Sequence, residues 1–187
     1  MSDDGNLSGK ILIAMPDMGD PRFAHSVVLV CAHSAEGAMG IVLNQRMQGM
    51  TFNKLLEMLG IEATAAMPDL PVRVGGPVEP VRGFLLHPGT GVQHEGTMDI
   101  GSGLAMSTTR DMLVDLAEGR GPDRAMLALG YAGWGPGQLD AEIRANGWLT
   151  GEMDPDYAFG DVSDIWVRAL NALGVDPLLL SGAAGRA

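Results

Sequence analysis

Short apolar runs bounded by turn residues recur along the chain and alternate irregularly with stretches of helical period. Lys10 to Ala14 reads as a first strand ended by Met15-Pro16. Pro16, Gly19 and Pro21 then predict an irregular loop, because fixed φ angles and a glycine resist both helix and ladder. Ser26 to Ala32, dominated by Val and Leu, predicts a strand buried on both faces. Gly40 to Asn44 is its expected neighbour, with Ser34-Ala-Glu-Gly37 at hairpin spacing. Val72 to Val74 and Gly83 to His87 form a second strand group, joined by a shaped loop, Gly75-Gly-Pro-Val-Glu-Pro80. Further short strands are predicted near Thr97 to Ile100, Leu104 to Ser107 and Ala125 to Tyr131.

Helices are expected at four places. Thr51 is an N-cap for a helix with the stripe Leu55, Leu56 and Leu59, closed by Gly60. Thr108 or Thr109 caps a second, with Asp111 in its first turn against the helix dipole, Met112, Leu113, Leu116 and Ala117 on its apolar face, and Gly119 ending it. The glycine-rich corner Tyr131-Ala-Gly-Trp-Gly-Pro-Gly leads into a third, with Pro136 in its first turn, Leu139 and Ile143 facing the core, and Trp148 at its end. The fourth carries Val162, Ile165, Trp166, Ala169, Leu170 and Leu173 on one stripe and stops at Gly174. Strands grouped ahead of and between helices, without steady βαβ alternation, predict an α+β fold. With 187 residues and no dividing linker, one domain spans 1–187, with flexible tails at 1–8 and 181–187.

Composition narrows the function classes. The chain is 46% hydrophobic and 19% charged, a globular balance. Its formal net charge of -11 repels phosphate backbones, so direct nucleic-acid contact is disfavoured. The N-terminus is acidic where a secretory signal needs a basic start, and the longest apolar run, Val27 to Ala32, falls far below the ~20 residues that span a bilayer. A single cysteine, Cys31, excludes an internal disulfide. These features predict a soluble cytoplasmic protein with no membrane contact.

Candidate chemistry centres on Cys31, His33 and the other histidines, His25, His87 and His94. On a regular strand Cys31 and His33 share one face, ~6.6 Å apart at the backbone. Such a pair suits a thiolate nucleophile, or a metal site completed by His87 or His94. Against this, a cysteine among Val28, Leu29 and Val30 behaves as a small buried hydrophobe. Gly75-Gly-Pro77 has no following Lys or Ser/Thr for a phosphate loop, and reads as a turn. Seven carboxylates between Asp140 and Asp164 face one cation within that window, Arg144. Asp154-Pro-Asp156 fails the calcium-loop pattern at Ala158 and Phe159, so a solvated acidic face that attracts a basic partner is expected. Met47 and Met50, set among polar and glycine residues, are candidates for an adaptable contact surface. Trp134 is either a core wedge or an interface anchor, with core favoured by its flanking glycines.

Many separate segments, in order, resemble the YqgE/AlgH family of bacterial proteins. They include Ile13-Ala-Met-Pro16, Asp20-Pro21, Ser26-Val-Val-Leu29, Cys31-Ala-His33, Gly37-Ala-Met-Gly40, Val42-Leu-Asn44 and Gly75-Gly-Pro-Val78. Arg82-Gly-Phe84, Leu86-His87, Tyr131-Ala-Gly-Trp134, Asn146-Gly-Trp-Leu149, Trp166 and Leu173-Gly-Val-Asp176 extend the match. The chain departs after Asn44, where Gln45-Arg46 stands in place of the family's Arg-Pro. The resemblance implies short, mostly antiparallel strands in a bifurcated, partly closed sheet flanked by helices. It implies no agreed catalytic residue, and a family label of transcriptional regulator. Cys31, His33, Asn44, His87 and Trp134 form the candidate site cluster, with no catalytic, metal or cofactor assignment. The leading expectation is an interaction or regulatory module acting through a protein partner. The alternatives are a small-ligand binder or thiol- or metal-dependent enzyme centred on Cys31, His33 and His87, and a transcriptional regulator.

Overall fold

The first strand pair sets the frame: β1 (Lys10–Ala14) lies between β2 (Val27–Ser34) and β10 (Trp148–Glu152), antiparallel to both. The computed structural model describes residues 5–16, 20–63, 70–89, 95–108 and 110–181. Gly19, Met18, Met67, His94, Thr109 and the tail residues 1–4 and 182–187 lie outside them. The remaining strands are β3 (Gly37–Val42), β4 (Arg46–Thr51), β5 (Pro71–Val74), β6 (Val78–Pro88), β7 (Thr97–Gly101), β8 (Leu104–Ser107) and β9 (Met126–Trp134). Helices are α1 (Phe52–Met58), α2 (Arg110–Ala117), α3 (Gln138–Arg144), α4 (Pro155–Phe159), α5 (Ile165–Ala172) and α6 (Pro177–Ser181), with one 3-10 turn at Pro21–Phe23.

Among the described residues the strands run in the order β10-β1-β2-β3-β9-β6-β8-β7, with β5 beside β9 and β4 beside β5. The fork lies at β9. Its last residues, Ala132 to Trp134, pair with β3, while Leu127 to Leu129 pair in parallel with β5. Gly75, Gly76 and Gly130 sit where these branches cross. Gly76 and Gly130 have φ of 155° and 78°, and a Cβ on any of the three would overlap the opposing backbone. Glycine is therefore required by sterics as well as by conformation. At the far end, the Ser102 hydroxyl donates to the Gly9 carbonyl at 2.8 Å, tying the β7–β8 turn to the start of β1 and curling the sheet. The predicted α+β architecture, with a bifurcated and partly closed sheet, is the one observed.

Three clusters fill the space around this sheet. The largest, inside the curl, holds Ile11, Leu29, Phe84, Leu104 and Met126 against Ile165 and Leu170 of α5. A second packs α1 and α2 on the outer face of β5, β6 and β9 through Phe52, Leu56, Met112 and Leu116. The third sets Leu12, Val28, Trp134, Leu139 and Trp148 beneath α3. Burial of this kind contributes ~1.5–3 kcal/mol for each large apolar side chain, an upper estimate because unfolded chains already bury some surface.

Several boundaries differ from the sequence reading, each for a local reason. Helix α3 spans seven residues, and Pro136 lies in the turn before it. Asn146 in the left-handed region then turns the chain into β10, so Trp148 opens a strand instead of ending a helix. Strand β6 begins at Val78, which shortens the predicted loop to Gly75–Pro77. Leu59 and Leu173 are 40% and 41% exposed, because each follows the last helical residue and has turned off the buried stripe. Val162 lies ahead of α5, before its N-cap Asp164, yet still packs half-buried against the interior cluster. Met47 and Met50 lie on β4 against the α1/α2 cluster, so they are packing residues and not an open contact surface.

Arg73 on β5 is 1% exposed and has no ion-pair partner among the described residues. Its guanidinium donates to the carbonyls of Leu43 at 2.8 Å, Tyr157 at 3.2 Å and Gly160 at 3.1 Å. That pins α4 and its exit turn to the sheet. Burial pulls the guanidinium pKa down to about 10, with the Arg46 charge adding to the fall and Asp161 opposing it.

Candidate functional site

The candidate cluster separates into three places. Asn44 holds the chain before β2: its Oδ1 accepts the Val27 N–H at 2.9 Å and its Nδ2 donates to the His25 carbonyl at 2.8 Å. This is a structural role in a loop where His25 has φ of 56° and stacks edge-on against Trp166. The second place is His87. Alternation along β6 turns it away from Leu86, which packs in the same interior cluster as Cys31. Pro88 offers only a carbonyl, so His87 Nδ1–H donates to it at 2.8 Å and Nε2 accepts the Ser107 hydroxyl at 2.8 Å. The Ser107 oxygen in turn accepts from Thr97 at 2.9 Å. His87 and Ser107 are both 2% exposed, and every polar atom of the pair is used within the sheet.

Cys31, His33 and Trp134 border the third place, a shallow depression of about 480 Å³ beside the β2–β3 turn. The expected shared face is broken there. A bulge between Val30 and Ala32 interrupts the alternation, leaving Cys31 in the interior while His33 pairs with Ala38 and turns toward α3. His33 Nδ1 accepts the Leu7 N–H at 3.2 Å, which places the ring proton on Nε2, 3.5 Å from Asp140. The Cys31 thiol lies 3.7 Å from the Leu29 carbonyl, and burial pushes its pKa up to about 12. A thiol so disfavoured as thiolate is not an activated nucleophile. Among the described residues no group of three or more His, Cys, Asp or Glu side chains is placed to hold a metal ion. The thiol- or metal-dependent centre built from Cys31, His33 and His87 is therefore not assembled, and His94 lies outside the described residues.

The acidic stretch is also resolved into separate roles, because the fold brings cations from elsewhere. Asp161 pairs with Arg46 at 3.1 Å and Asp156 with Arg124 at 3.2 Å, while Glu152 meets Lys10. Asp154 caps α4 by accepting the Asp156 N–H at 2.9 Å.

A deeper site forms at the corner between β9 and β10, where the sequence offered a shape and no chemistry. Trp134 ends β9, Trp148 starts β10, and α3 between them carries Glu142 over both. One carboxylate oxygen of Glu142 accepts both indole N–H groups, at 2.9 Å from Trp134 and 2.8 Å from Trp148. The other accepts Gln138 Nε2 at 3.0 Å, and Gln138 Oε1 accepts the Gly135 N–H at 3.0 Å. Buried tryptophan N–H groups need such acceptors, and an ionised acceptor makes the stronger bond. The two indoles pack edge to face with centroids 6.0 Å apart, and Phe23 packs edge-on to Trp148 at 5.8 Å.

These rings, Glu142, Gln138 and Asn146 line a cavity of about 640 Å³. At its mouth Asp20 and Arg22 pair through three guanidinium bonds of 3.0, 3.2 and 2.7 Å, which hold the Asp20 carboxyl below its ordinary range. Trp134 is thus 8% exposed, a core residue whose edge reaches two concavities. Sequence reasoning singled out Trp134 and missed Phe23, Glu142 and Trp148 as its partners. The signal was present: two tryptophans flank a short helix on which Glu142 has no cation beside it among the described residues, whereas Asp140 on the same helix meets His33.

A curled α+β half-barrel with a helix-capped cavity at its fork is the class of protein these features define. An AlgH-like family model (DUF179) matches residues 11–178, and the chain belongs to that family. It is 57% identical, over 190 aligned positions covering 100% of both chains, to a UPF0301 protein of Paracoccus denitrificans. A UPF0301 protein of Ruegeria pomeroyi is 50% identical over 97% of this chain and 100% of its own. The solution structure of the AlgH protein from Pseudomonas aeruginosa superposes with a TM-score of 0.78 at 40% identity, covering 100% of this chain and 99% of that one. A protein of Corynebacterium diphtheriae, at 21% identity and a TM-score of 0.74, shares the fold over 97% of this chain and 94% of its own. Among the described residues no helix is long and apolar enough to cross a membrane.

Proposed function

We propose that this protein is a small-ligand-binding regulatory module whose site is the corner cavity of Phe23, Trp134, Glu142 and Trp148. One observation carries the reading: about 640 Å³ of concave space, walled by aromatic rings around one hydrogen-bonded carboxylate. Small-molecule sites are of that size, about 300–1,000 Å³, and are apolar with a few placed polar groups. The site is built on a strand end, a helix and a strand start, so occupancy bears directly on the fork of the sheet. A thermal-shift screen of the purified protein against a metabolite collection tests this. A ligand present at about 100 times its Kd adds about 2.7 kcal/mol of stability. No stabilising compound at millimolar concentration contradicts the reading.

A second reading, docking of a protein partner, is favoured by a different surface. Val81 is 90% and Leu59 40% exposed at the rim of an apolar groove between α1 and α2, where Leu55, Leu113 and Leu129 line about 220 Å³. Cross-linked partners lost in Val81→Asp and kept in the wild type support it. An identical set from both proteins argues against it.

A further inference from the structure

We propose that the corner cavity takes a compact organic cation, an alkylammonium or guanidinium group, seated against its rings with its charge toward Glu142. The proposal rests on the reading of this cavity as a ligand site and specifies the ligand's chemistry. Three observations carry it. First, the charges lining the cavity are unequal: Asp20 and Arg22 neutralise each other at the mouth, while Glu142 has no ion-pair partner among the described residues. Its carboxylate is held by three neutral N–H donors, two indole and one amide, and none of them cancels its charge.

Second, an ionised carboxylate offers about four acceptor positions, and three are filled. The fourth has no donor among the described residues, and Glu142 lines the cavity that an incoming donor would enter. Third, the walls are two tryptophans and a phenylalanine, an apolar lining that suits the hydrocarbon body of an organic cation and not a bare hydrated ion. The mouth already shows the pairing on a local scale. Arg22 lies 5.9 Å from the Phe23 centroid while bonded to Asp20, a guanidinium held between a ring and a carboxylate. An anion would meet the uncancelled Glu142 charge, and a neutral apolar body would leave that carboxylate desolvated without gain.

Isosteric probes that differ in charge provide the test. Choline, neutral 3,3-dimethylbutanol and anionic 3,3-dimethylbutanoate are titrated into the full chain while tryptophan fluorescence is followed, with agmatine as a guanidinium probe. Choline or agmatine is expected to bind saturably, at least about tenfold more tightly than the neutral probe, and more weakly as salt rises. Glu142→Gln is expected to reduce the cation's affinity about tenfold. Phe23→Leu, which leaves the carboxylate and both indole bonds in place, weakens every probe and covers the case in which Glu142→Gln fails to fold. Equal binding of the neutral probe, or tighter binding of the anion, overturns the cation assignment while leaving the cavity a ligand site. No binding by any of the four probes overturns the assignment as well. The cavity reading then stands or falls on the wider thermal-shift screen.

Discussion

Replacing Glu142 by Gln isolates what the carboxylate does for the fold before any ligand is added. The side chain keeps its length and one oxygen, so packing changes little. The two indole bonds at 2.9 and 2.8 Å lose their ionised acceptor. Hydrogen bonds to charged groups contribute about 1.5–3 kcal/mol and neutral ones about 0.5–1.5, so each indole bond weakens by about 1 kcal/mol. The Gln138 bond at 3.0 Å also fails, because an amide nitrogen then faces an amide nitrogen. Turning Gln138 over restores it only by giving up the Gly135 N–H. The site is half-open to water, which reduces the total to about 2 kcal/mol. For a chain of this length that lowers Tm by about 4–8 °C. Urea unfolding followed by tryptophan fluorescence gives the free energy, and near-UV circular dichroism reports the indole packing. A loss below about 0.5 kcal/mol with unchanged near-UV bands refutes the claim that the carboxylate fastens β9 to β10 through the two tryptophans.

Three further outcomes follow from named contacts. Arg73→Ala strands the carbonyls of Leu43, Tyr157 and Gly160 and is expected to cost about 3 kcal/mol or more; hydrogen exchange then accelerates first in α4 and its exit turn. Uniform acceleration across the sheet contradicts the view of Arg73 as a pin for α4. Gly76→Ala places a Cβ against the Tyr131 backbone with φ near 155° and is expected to abolish folding or to cost more than about 3 kcal/mol, measured by denaturant unfolding. Cys31 should resist iodoacetamide at pH 8 in the native state and react after denaturation, as its 3% exposure and raised pKa require. Because that pKa rises from about 9 to about 12 on folding, the folded state holds the proton longer. The resulting stability is intact below pH 9 and is lost as pH climbs toward 12. Cys31→Ala should flatten that part of the pH profile.

Periodicity and punctuation carried most of the architecture. Val27 to Val30 needed only their apolar run, and Thr51 caps α1 as its side chain requires, accepting the Lys54 N–H at 3.2 Å. What was illegible depended on long-range pairing. Strand β4 reads as polar and methionine-rich, and becomes a strand only because β5 lies alongside it. Strand β10 hides behind α3, although Asn146-Gly147 marks the turn; its partner, β1, begins the chain's other end. The bulge at Cys31 cannot be read from alternation, which it breaks, so the predicted Cys31–His33 face does not form. Trp134 was visible as unusual because glycines surround it. Glu142 was not, since one of two carboxylates on a short helix gains meaning only when two indole N–H groups converge on it. Charge counts misled for the same reason: Arg46, Arg124 and Lys10 reach the acidic stretch from distant positions.

The chain's three tryptophans allow the cavity to be tested with an internal control. Trp134 and Trp148 line it and bond to Glu142, whereas Trp166 donates to the Ala14 carbonyl at 2.8 Å and is not part of its wall. Heteronuclear NMR of the three indole N–H signals, recorded while choline or agmatine is added, reads each ring separately. Saturable shifts of the Trp134 and Trp148 signals, with Trp166 unmoved, are the predicted result. Three unmoved signals, or a shift confined to Trp166, would contradict the account.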